Sequence, residues 1–479
     1  MTDELSANWM AYFAILGWPL VALILYQMRP FAEATAWTVL GALLFLPSHV
    51  AIKFPLIPAI DKNSVASVSI LIGSILFAPR PSRTAKGGGL VAVLAIIYVV
   101  SPIITSVLNG DAILAGERVI PAVGYYDGVS AMLSQAILLV PFFVGRRFIV
   151  HEADVRTVLR VLVVAGAIYS LPMLFEIRMS PQLSQSIYGT FSSSFPVEMR
   201  YGGFRPVVFM INGLAAAFFL STAVLAALAF WRTGSKIAGY PASGFSAYLS
   251  IVLVLCKSAG ALMYAIAIGA VVRFFSPSLQ KRVAVFLACL SLAYPLLRMN
   301  DLFPTNKILE VVSSVNDDRA GSLRVRFDQE QELLAHASER FWFGWGRYGR
   351  NRMYDESGSD ISITDGQWIV TFGQFGFFGF IAQFGLLAFP VFVALRGNKA
   401  IRAERDAVFL CCLSLVVAIS IVEQLPNASI AAWNWLLAGA LLGRSINAQV
   451  ESASRSHPKS IGGVLRPKEI AGRSLMHDA

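Results

Sequence analysis

The chain has 479 residues, of which 56% are hydrophobic and 14% are charged, with a mean hydropathy of +0.63 and a formal net charge of +10. This composition excludes an ordinary soluble globular protein. The apolar residues form long continuous runs, whereas an outer-membrane barrel would show short alternating segments. We therefore expect an all-α, polytopic integral membrane protein with about 12–13 transmembrane helices.

Thirteen apolar runs are long enough, or nearly so, to cross a bilayer. In chain order they are 9–28, 34–52, 64–79, 89–108, 128–145, 157–175, 206–230, 245–257, 259–275, 283–298, 371–395, 407–425 and 429–443. Lysine and arginine are concentrated in alternate short loops between these runs, and cytoplasmic loops are normally the basic ones. This pattern predicts a periplasmic N-terminus and a cytoplasmic C-terminus in a bacterial inner membrane.

The same pattern predicts six segments of the chain. Membrane helices fill 1–175, 206–298 and 371–443, a periplasmic loop spans 176–205, a large and partly helical periplasmic loop spans 299–370, and a disordered cytoplasmic tail spans 444–479. We expect the large loop to be catalytic.

Within that loop, residues 301–365 form a polar island between apolar runs. Arginine is scarce in periplasmic loops, so its frequency here favours a chemical role, and planar guanidinium groups suit phosphate and diphosphate. A helix is predicted over 317–340, and it places Arg319, Arg326 and Glu330 on one face. With Asp365, which lies just before the chain returns to the membrane, these three are the predicted catalytic residues.

Further residues are predicted to bind substrate, because they place positive charge or an aromatic ring in the outer loops. They are Arg178, Arg200, Arg205, Lys257, Arg324, Arg340, Trp345, Arg347 and Arg350. Two plainer interpretations stay open: interfacial arginines that contact lipid headgroups, and a belt of aromatic residues at the membrane surface. No nucleotide-binding or metal-binding motif is present, so we expect no cofactor, no metal and no nucleic-acid partner.

The order of these features resembles the O-antigen ligase/Wzy-type polysaccharide polymerase superfamily. The resemblance runs from about Glu176 to Pro390 and includes the sequences "RYGGFRP", "CKSAGALMYA", "FWFGWG" and "GQFGFFGF". It implies a GT-C-like membrane fold and an undecaprenyl-diphosphate-linked glycan as substrate. It also implies a diphosphate-binding role for Arg205, Arg319, Arg326 and Arg340. The ligases carry a histidine just before the glycine-rich segment, a place that Asp365 occupies here.

Three functions follow from this resemblance and the loop charges. The first is an inverting, metal-independent polymerase that joins lipid-linked repeat units into an exopolysaccharide or O-antigen. The second is a ligase that moves finished glycan onto lipid A core or another acceptor. The third is a transporter of the lipid-linked glycan. For a polymerase, the resemblance further implies a chain-length-regulating co-polymerase and a flippase as partners.

Overall fold

Helices dominate the computed structural model, which describes residues 7–54, 57–80, 88–191, 195–200, 202–314, 317–397 and 404–456. The helices are α1 (Trp9–Met28), α2 (Phe31–Phe45), α3 (Lys62–Phe77), α4 (Gly89–Leu108), α5 (Tyr125–Phe148), α6 (Glu152–Met179), α7 (Leu183–Tyr188), α8 (Phe195–Glu198), α9 (Gly213–Arg232), α10 (Ala242–Leu255), α11 (Ala259–Phe274), α12 (Pro277–Met299), α13 (Thr305–Ser313), α14 (Asp317–Glu339), α15 (Gln367–Gly397), α16 (Glu404–Val422) and α17 (Ala432–Ser456). The predicted all-α polytopic class is confirmed.

Eight of the described helices are long and apolar enough to cross a membrane: α1, α4, α5, α6, α9, α12, α15 and α16. Four shorter apolar helices, α2, α3, α10 and α11, stand where spans were predicted, and α17 stands at the thirteenth place. The 14 residues of α10 rise about 21 Å, which is less than the roughly 30 Å of a hydrocarbon core. The helix positions thus follow the hydropathy pattern, while the lengths vary.

Contacts between connecting segments sort these segments into two faces of the helix bundle. We call the face that carries the island the island face. Its segments are joined by Ser48 Oγ to Phe209 O (2.7 Å), Asn8 Nδ2 to Ile187 O (2.8 Å), Lys257 Nζ to Arg200 O (3.2 Å) and Gln367 N to Asn427 O (3.1 Å). At the opposite face the contacts are Arg405 to Ser235 Oγ (2.7 Å), Asn447 Nδ2 to Val150 O (3.2 Å) and Arg232 to Phe275 O (2.5 Å).

In the connecting segments that the structure describes, four short antiparallel hairpins interrupt the helical pattern. They pair β1 (Ile52–Phe54) with β2 (Ile57–Ile60), β3 (Ile113–Ala115) with β4 (Arg118–Ile120), β5 (Met199–Arg200) with β6 (Gly203–Phe204), and β7 (Lys236–Ile237) with β8 (Tyr240–Pro241). None of these strands exceeds four residues, so they tighten loops without changing the fold class.

Helix α15 is broken at Gly376, where φ is +64° and ψ is −162°. A Cβ atom there would lie 2.4 Å from the Trp342 carbonyl carbon, so the position requires glycine. Residues 341–346 pass beside the break and bond its free backbone groups. These bonds are Phe377 N to Phe341 O (2.7 Å), Phe378 N to Trp342 O (3.2 Å), Trp345 N to Gly373 O (2.8 Å) and Gly346 N to Gln374 O (2.9 Å). The island is thereby locked onto a membrane helix.

The predicted disordered tail at 444–479 begins too early, because α17 continues to Ser456. Two side-chain contacts explain the extra turns: Arg444 pairs with Glu451 at 3.3 Å, and the Asn447 amide donates to the Val150 carbonyl at 3.2 Å. Residues 457–479 lie outside the described part of the chain.

Candidate active site

A cavity of about 320 Å³ lies where the island meets the island-face ends of the membrane helices. Helix α14 forms one side, and α11, α12, α15 and the end of α16 form the others. The wall is mostly apolar, and its polar side chains come mainly from the island. The lining residues are Tyr264, Leu290, Tyr294, Phe303, Ile308, Leu323, Arg326, Phe327, Glu330, Ile363, Asp365, Gly366, Ile369, Val422, Leu425 and Pro426. Three of the four predicted catalytic residues are therefore brought together.

Arg326 and Asp365 form an ion pair on this wall, with 3.1 Å between Nε and Oδ2. Their side chains are 43% and 42% exposed, so solvent and a ligand can reach both groups. Arg352 lies close by, since its guanidinium contacts the Thr364 hydroxyl at 3.5 Å and pairs with Asp360. A pair of this exposure contributes little to stability and can exchange partners when an anion arrives.

Glu330 stands deeper in the same wall and is held by three donors. Arg298 Nε lies 2.8 Å and the Tyr294 hydroxyl 2.9 Å from one carboxylate oxygen, and Trp368 Nε1 lies 3.3 Å from the other. Burial raises the pKa of Glu330, and the neighbouring Arg298 opposes that shift. Because three donors from α12 and α15 hold its two oxygens, the geometry of Glu330 suits fixing α14 to these helices.

Local backbone geometry fixes Asp365 two residues before the start of α15. The next residue is Gly366, where a Cβ atom would lie 2.2 Å from the Leu425 carbonyl oxygen. Trp368 follows, fully buried, and the Gln367 amide donates to the Asn427 carbonyl at 3.1 Å. These contacts fasten the start of α15 to the segment after α16, so the Asp365 carboxylate has a defined position.

A second arginine cluster, Arg340 and Arg350, lies away from this cavity and is internally satisfied. Arg350 is fully buried and donates to the carbonyls of Trp345 (3.0 Å), Asp111 (2.7 Å) and Pro121 (3.1 Å). Arg340 pairs with the Asp111 carboxylate at 2.9 Å and covers the Trp345 ring at 4.2 Å. The Arg340 hydrogen bond lowers the pKa of Asp111. This cluster joins the island to the segment after α4.

The loop before α9 uses its charges in a similar way. Arg205 is buried and paired with Glu198 at 2.7 Å, and Glu198 also accepts from the Gly213 amide at 3.2 Å. Lys257 donates to the carbonyl of Arg200, whose own side chain is exposed. Arg205 and Lys257 therefore hold loops of the island face together through an ion pair and a hydrogen bond.

The remaining predicted residues lie apart from the cavity or outside the described side chains. Arg178 is exposed on the last turn of α6, and Arg324 is exposed two residues before Arg326. Arg347 is partly exposed beside the Tyr348 ring. Residue 319 lies in α14, and its side chain is outside the described part of the structure.

Sequence reasoning missed two partners that decide these roles, Arg298 and Asp111. Each is a charged residue at or just beyond the island-face end of a predicted span: Arg298 is the last residue of 283–298, and Asp111 lies three residues beyond 89–108. That position was the available signal, because the predicted topology already placed both span ends on the same side as the island. Nothing in the sequence indicates which arginine or glutamate each would contact.

Residues 244–384 match the sequence family described as O-antigen ligase (Wzy_C). This stretch covers less than a third of the chain and runs from α10 into α15, so it includes Lys257, the whole island and Asp365. No curated protein matches the sequence. The resemblance to the O-antigen ligase/Wzy superfamily is thus confirmed over this region, which carries the domain of an O-antigen ligase or polymerase type of membrane enzyme.

Proposed function

We propose that this protein is a polysaccharide polymerase that transfers a growing glycan from its polyprenyl-diphosphate carrier to the next lipid-linked repeat unit. The observation that carries the proposal is the Arg326–Asp365 pair on the wall of an otherwise mostly apolar cavity. A guanidinium cation and a carboxylate that can act as a base stand together there, at the membrane end of the island. Loop charge favours the periplasm for this face.

The cavity suits the two chemically distinct parts of such a donor. Side chains such as Leu290, Ile369 and Val422 offer an apolar surface to the isoprenoid next to the diphosphate. Arg326 offers a planar donor pair to the diphosphate oxygens, and Arg352 stands nearby beside Thr364. Neutralising that charge makes the diphosphate a better leaving group.

Transfer then needs one proton acceptor and one displacement. When Arg326 turns to the diphosphate, the Asp365 carboxylate loses its ion-pair partner and can accept the proton of the acceptor hydroxyl. The acceptor oxygen forms the new bond to the anomeric carbon while the bond from that carbon to the phosphate oxygen breaks. The carrier diphosphate leaves with the bonding electrons, and the anomeric configuration inverts.

A ligase is the second candidate, and the description of the matched family as O-antigen ligase favours it. Both enzymes would use the same donor and the same diphosphate chemistry. They differ in the acceptor, which is a lipid-linked repeat unit for the polymerase and lipid A core or another terminal acceptor for the ligase.

Deletion of the gene followed by gel profiling of lipid-linked and surface glycans separates the two. A polymerase mutant accumulates single repeat units, whereas a ligase mutant accumulates long chains on the carrier. Complementation with Arg326→Ala should leave either defect uncorrected, at normal protein levels in the membrane. Arg282→Ala, which removes an exposed guanidinium group near the other end of α12, away from the cavity, should restore the wild-type profile. An unchanged profile in the deletion strain would rule out both enzymatic functions.

A further inference from the structure

A second cavity, of about 150 Å³, lies against the same segment that carries Asp365. Asp365 and Gly366 line the first cavity, and Gln367 lines the second. Residues of α16 and of the segment after it also contribute to both, with Val422 and Leu425 in the first and Ser420 and Ser429 in the second. The start of α15 and this strip of α16 therefore form a shared wall between two chambers.

Two asparagine side chains line the second cavity, and each is hydrogen-bonded through its oxygen but not, within the described residues, through its nitrogen. Asn63 Oδ1 accepts from the Ala432 amide at 3.2 Å, and Asn434 Oδ1 accepts from the Ala431 amide at 2.9 Å. Within the described residues, no hydrogen-bond partner engages either Nδ2 group. The oxygen contacts fix both side chains, so two amide donors are held in place and remain available to a ligand.

A third side-chain amide, that of Gln367, is also bonded through one atom only, but here the nitrogen is bonded and the oxygen is free within the described residues. Its Nε2 donates to the Thr371 hydroxyl at 3.1 Å, and its Oε1 has no partner in the described part of the chain. The ring of Trp433 and the hydroxyl-bearing Thr222 and Ser420 complete this part of the lining. Fixed amide donors and acceptors beside an aromatic ring match the alternating hydroxyls and apolar face of a pyranose.

Lys62 makes the second cavity positive. Its ammonium is held by neutral acceptors, the Ser48 hydroxyl at 2.7 Å and the Phe209 carbonyl at 3.2 Å. Among the described residues no carboxylate lies within 4.0 Å of it. A neutral or acidic sugar is compatible with this charge, and a cationic one is not.

We infer that the second cavity binds the acceptor sugar of the transfer reaction, with Asn63, Asn434 and Gln367 as its hydrogen-bonding residues. The inference rests on the proposed function and adds a site to it. A cavity of about 150 Å³ is too small for a long oligosaccharide, so we expect it to take a single sugar ring. An acceptor bound there contacts Gln367, two residues along the chain from Asp365, and its reacting hydroxyl reaches the donor past the start of α15. Donor and acceptor thus occupy adjacent cavities, and Asp365 lies on the wall of the first.

The test measures transfer by the full-length protein in lipid nanodiscs, with long-chain glycan on its lipid carrier as donor and the single lipid-linked repeat unit that accumulates in the deletion strain as acceptor, at varied concentration. Asn434→Asp and Asn63→Asp keep the oxygen that accepts from the neighbouring backbone amide, replace the free donor with an acceptor oxygen and add one negative charge. Each should raise the acceptor KM about tenfold and leave the donor KM within about twofold. Asn300→Asp adds the same charge at an exposed position of the island face and should change neither constant.

The outcomes separate this inference from the proposed function. If the wild-type protein transfers nothing to any acceptor, the proposed function fails. If the wild type transfers and both variants keep a normal acceptor KM, the acceptor site is wrong and the proposed function stands. A rise in the donor KM instead would assign the second cavity to the donor and would also overturn the inference. Binding of the free acceptor oligosaccharide to the two variants, measured without donor, checks the result independently of turnover.

Discussion

The island carries two arginine clusters that are alike in composition and opposite in use. At Asp111, Arg340 and Arg350 are bonded to carbonyls and a carboxylate, and Arg350 has no exposed side-chain surface. At Asp365, Arg326 makes an ion pair with nearly half of each side chain exposed, on a cavity wall. In the first cluster carbonyls and a carboxylate already hold both guanidinium groups, whereas Arg326 in the second can exchange its single partner for an anion.

This difference shows why a count of arginines does not locate a diphosphate site. A guanidinium group stabilises the fold when carbonyls from several segments surround it, and it serves binding when one weak partner holds it near open space. Substitutions in the two clusters should therefore separate loss of activity from loss of stability.

The largest effect is expected at Asp365. Asp365→Asn removes the proton acceptor and should lower the transfer rate by about 10²–10⁴-fold, with little change in thermal stability. Asp365→His should recover part of the activity, with its acidic limb shifted to higher pH, because an imidazole titrates at higher pH than a carboxyl group. The measurement is a pH–rate profile in nanodiscs, with Asp360→Asn as the control. Near-normal rates for Asp365→Asn would remove the residue from the mechanism.

A loss of stability should dominate at the other cluster. Arg350→Ala strips hydrogen bonds from three carbonyls and the Asp111 carboxylate, and we expect it to cost about 2–4 kcal/mol of unfolding free energy. Thermal unfolding in detergent, followed by size-exclusion chromatography, measures this cost. If Arg350→Ala proves as stable as wild type yet cannot transfer glycan, the cluster at Asp111 takes part in transfer and the contrast between the two clusters is wrong.

Glu330 combines features of both clusters, because it lines the cavity and is also held by three donors from the membrane helices. Glu330→Gln leaves Arg298 buried without its counter-charge, and we expect about 1–3 kcal/mol of destabilisation. Adding Arg298→Met to Glu330→Gln should cost less than the sum of the two single changes, as contacting partners do in a double-mutant cycle. A severe loss of transfer with unchanged stability would instead make Glu330 catalytic.

The smallest effect is expected at Arg178, which is exposed at the end of α6. Arg178→Ala should change stability by less than about 0.5 kcal/mol and the transfer rate by less than about threefold. The same nanodisc assay measures both donor and acceptor KM. A donor KM raised as much as by Arg326→Ala would extend the diphosphate site to this loop.

Much of the fold was predictable, and the reason is that hydropathy is a local property. Each of the thirteen predicted spans overlaps a helix, and the predicted helix at 317–340 is α14, Asp317–Glu339. Boundaries were less accurate where side-chain contacts extend a helix, as at α17, or where a broken helix begins before its apolar run, as at Gln367.

The site was predictable only in part. Helical spacing placed Arg326 and Glu330 on one face, and the position before α15 singled out Asp365. The same reasoning placed Arg350 and Arg205 among the substrate-binding residues, because both are arginines in the outer loops. Their partners explain how they differ from Arg326, and Asp111 lies 239 residues from Arg350 along the chain.

The sequence by itself determined that this is a helical membrane protein with a charged island between two groups of spans. Composition and periodicity depend only on residues that are close together in the chain. Only the tertiary structure decided which arginines are occupied by the protein and which face a cavity. That choice depends on contacts between segments far apart in the chain, such as Arg298 with Glu330 and Arg340 with Asp111, and on the room left between helices once they have packed.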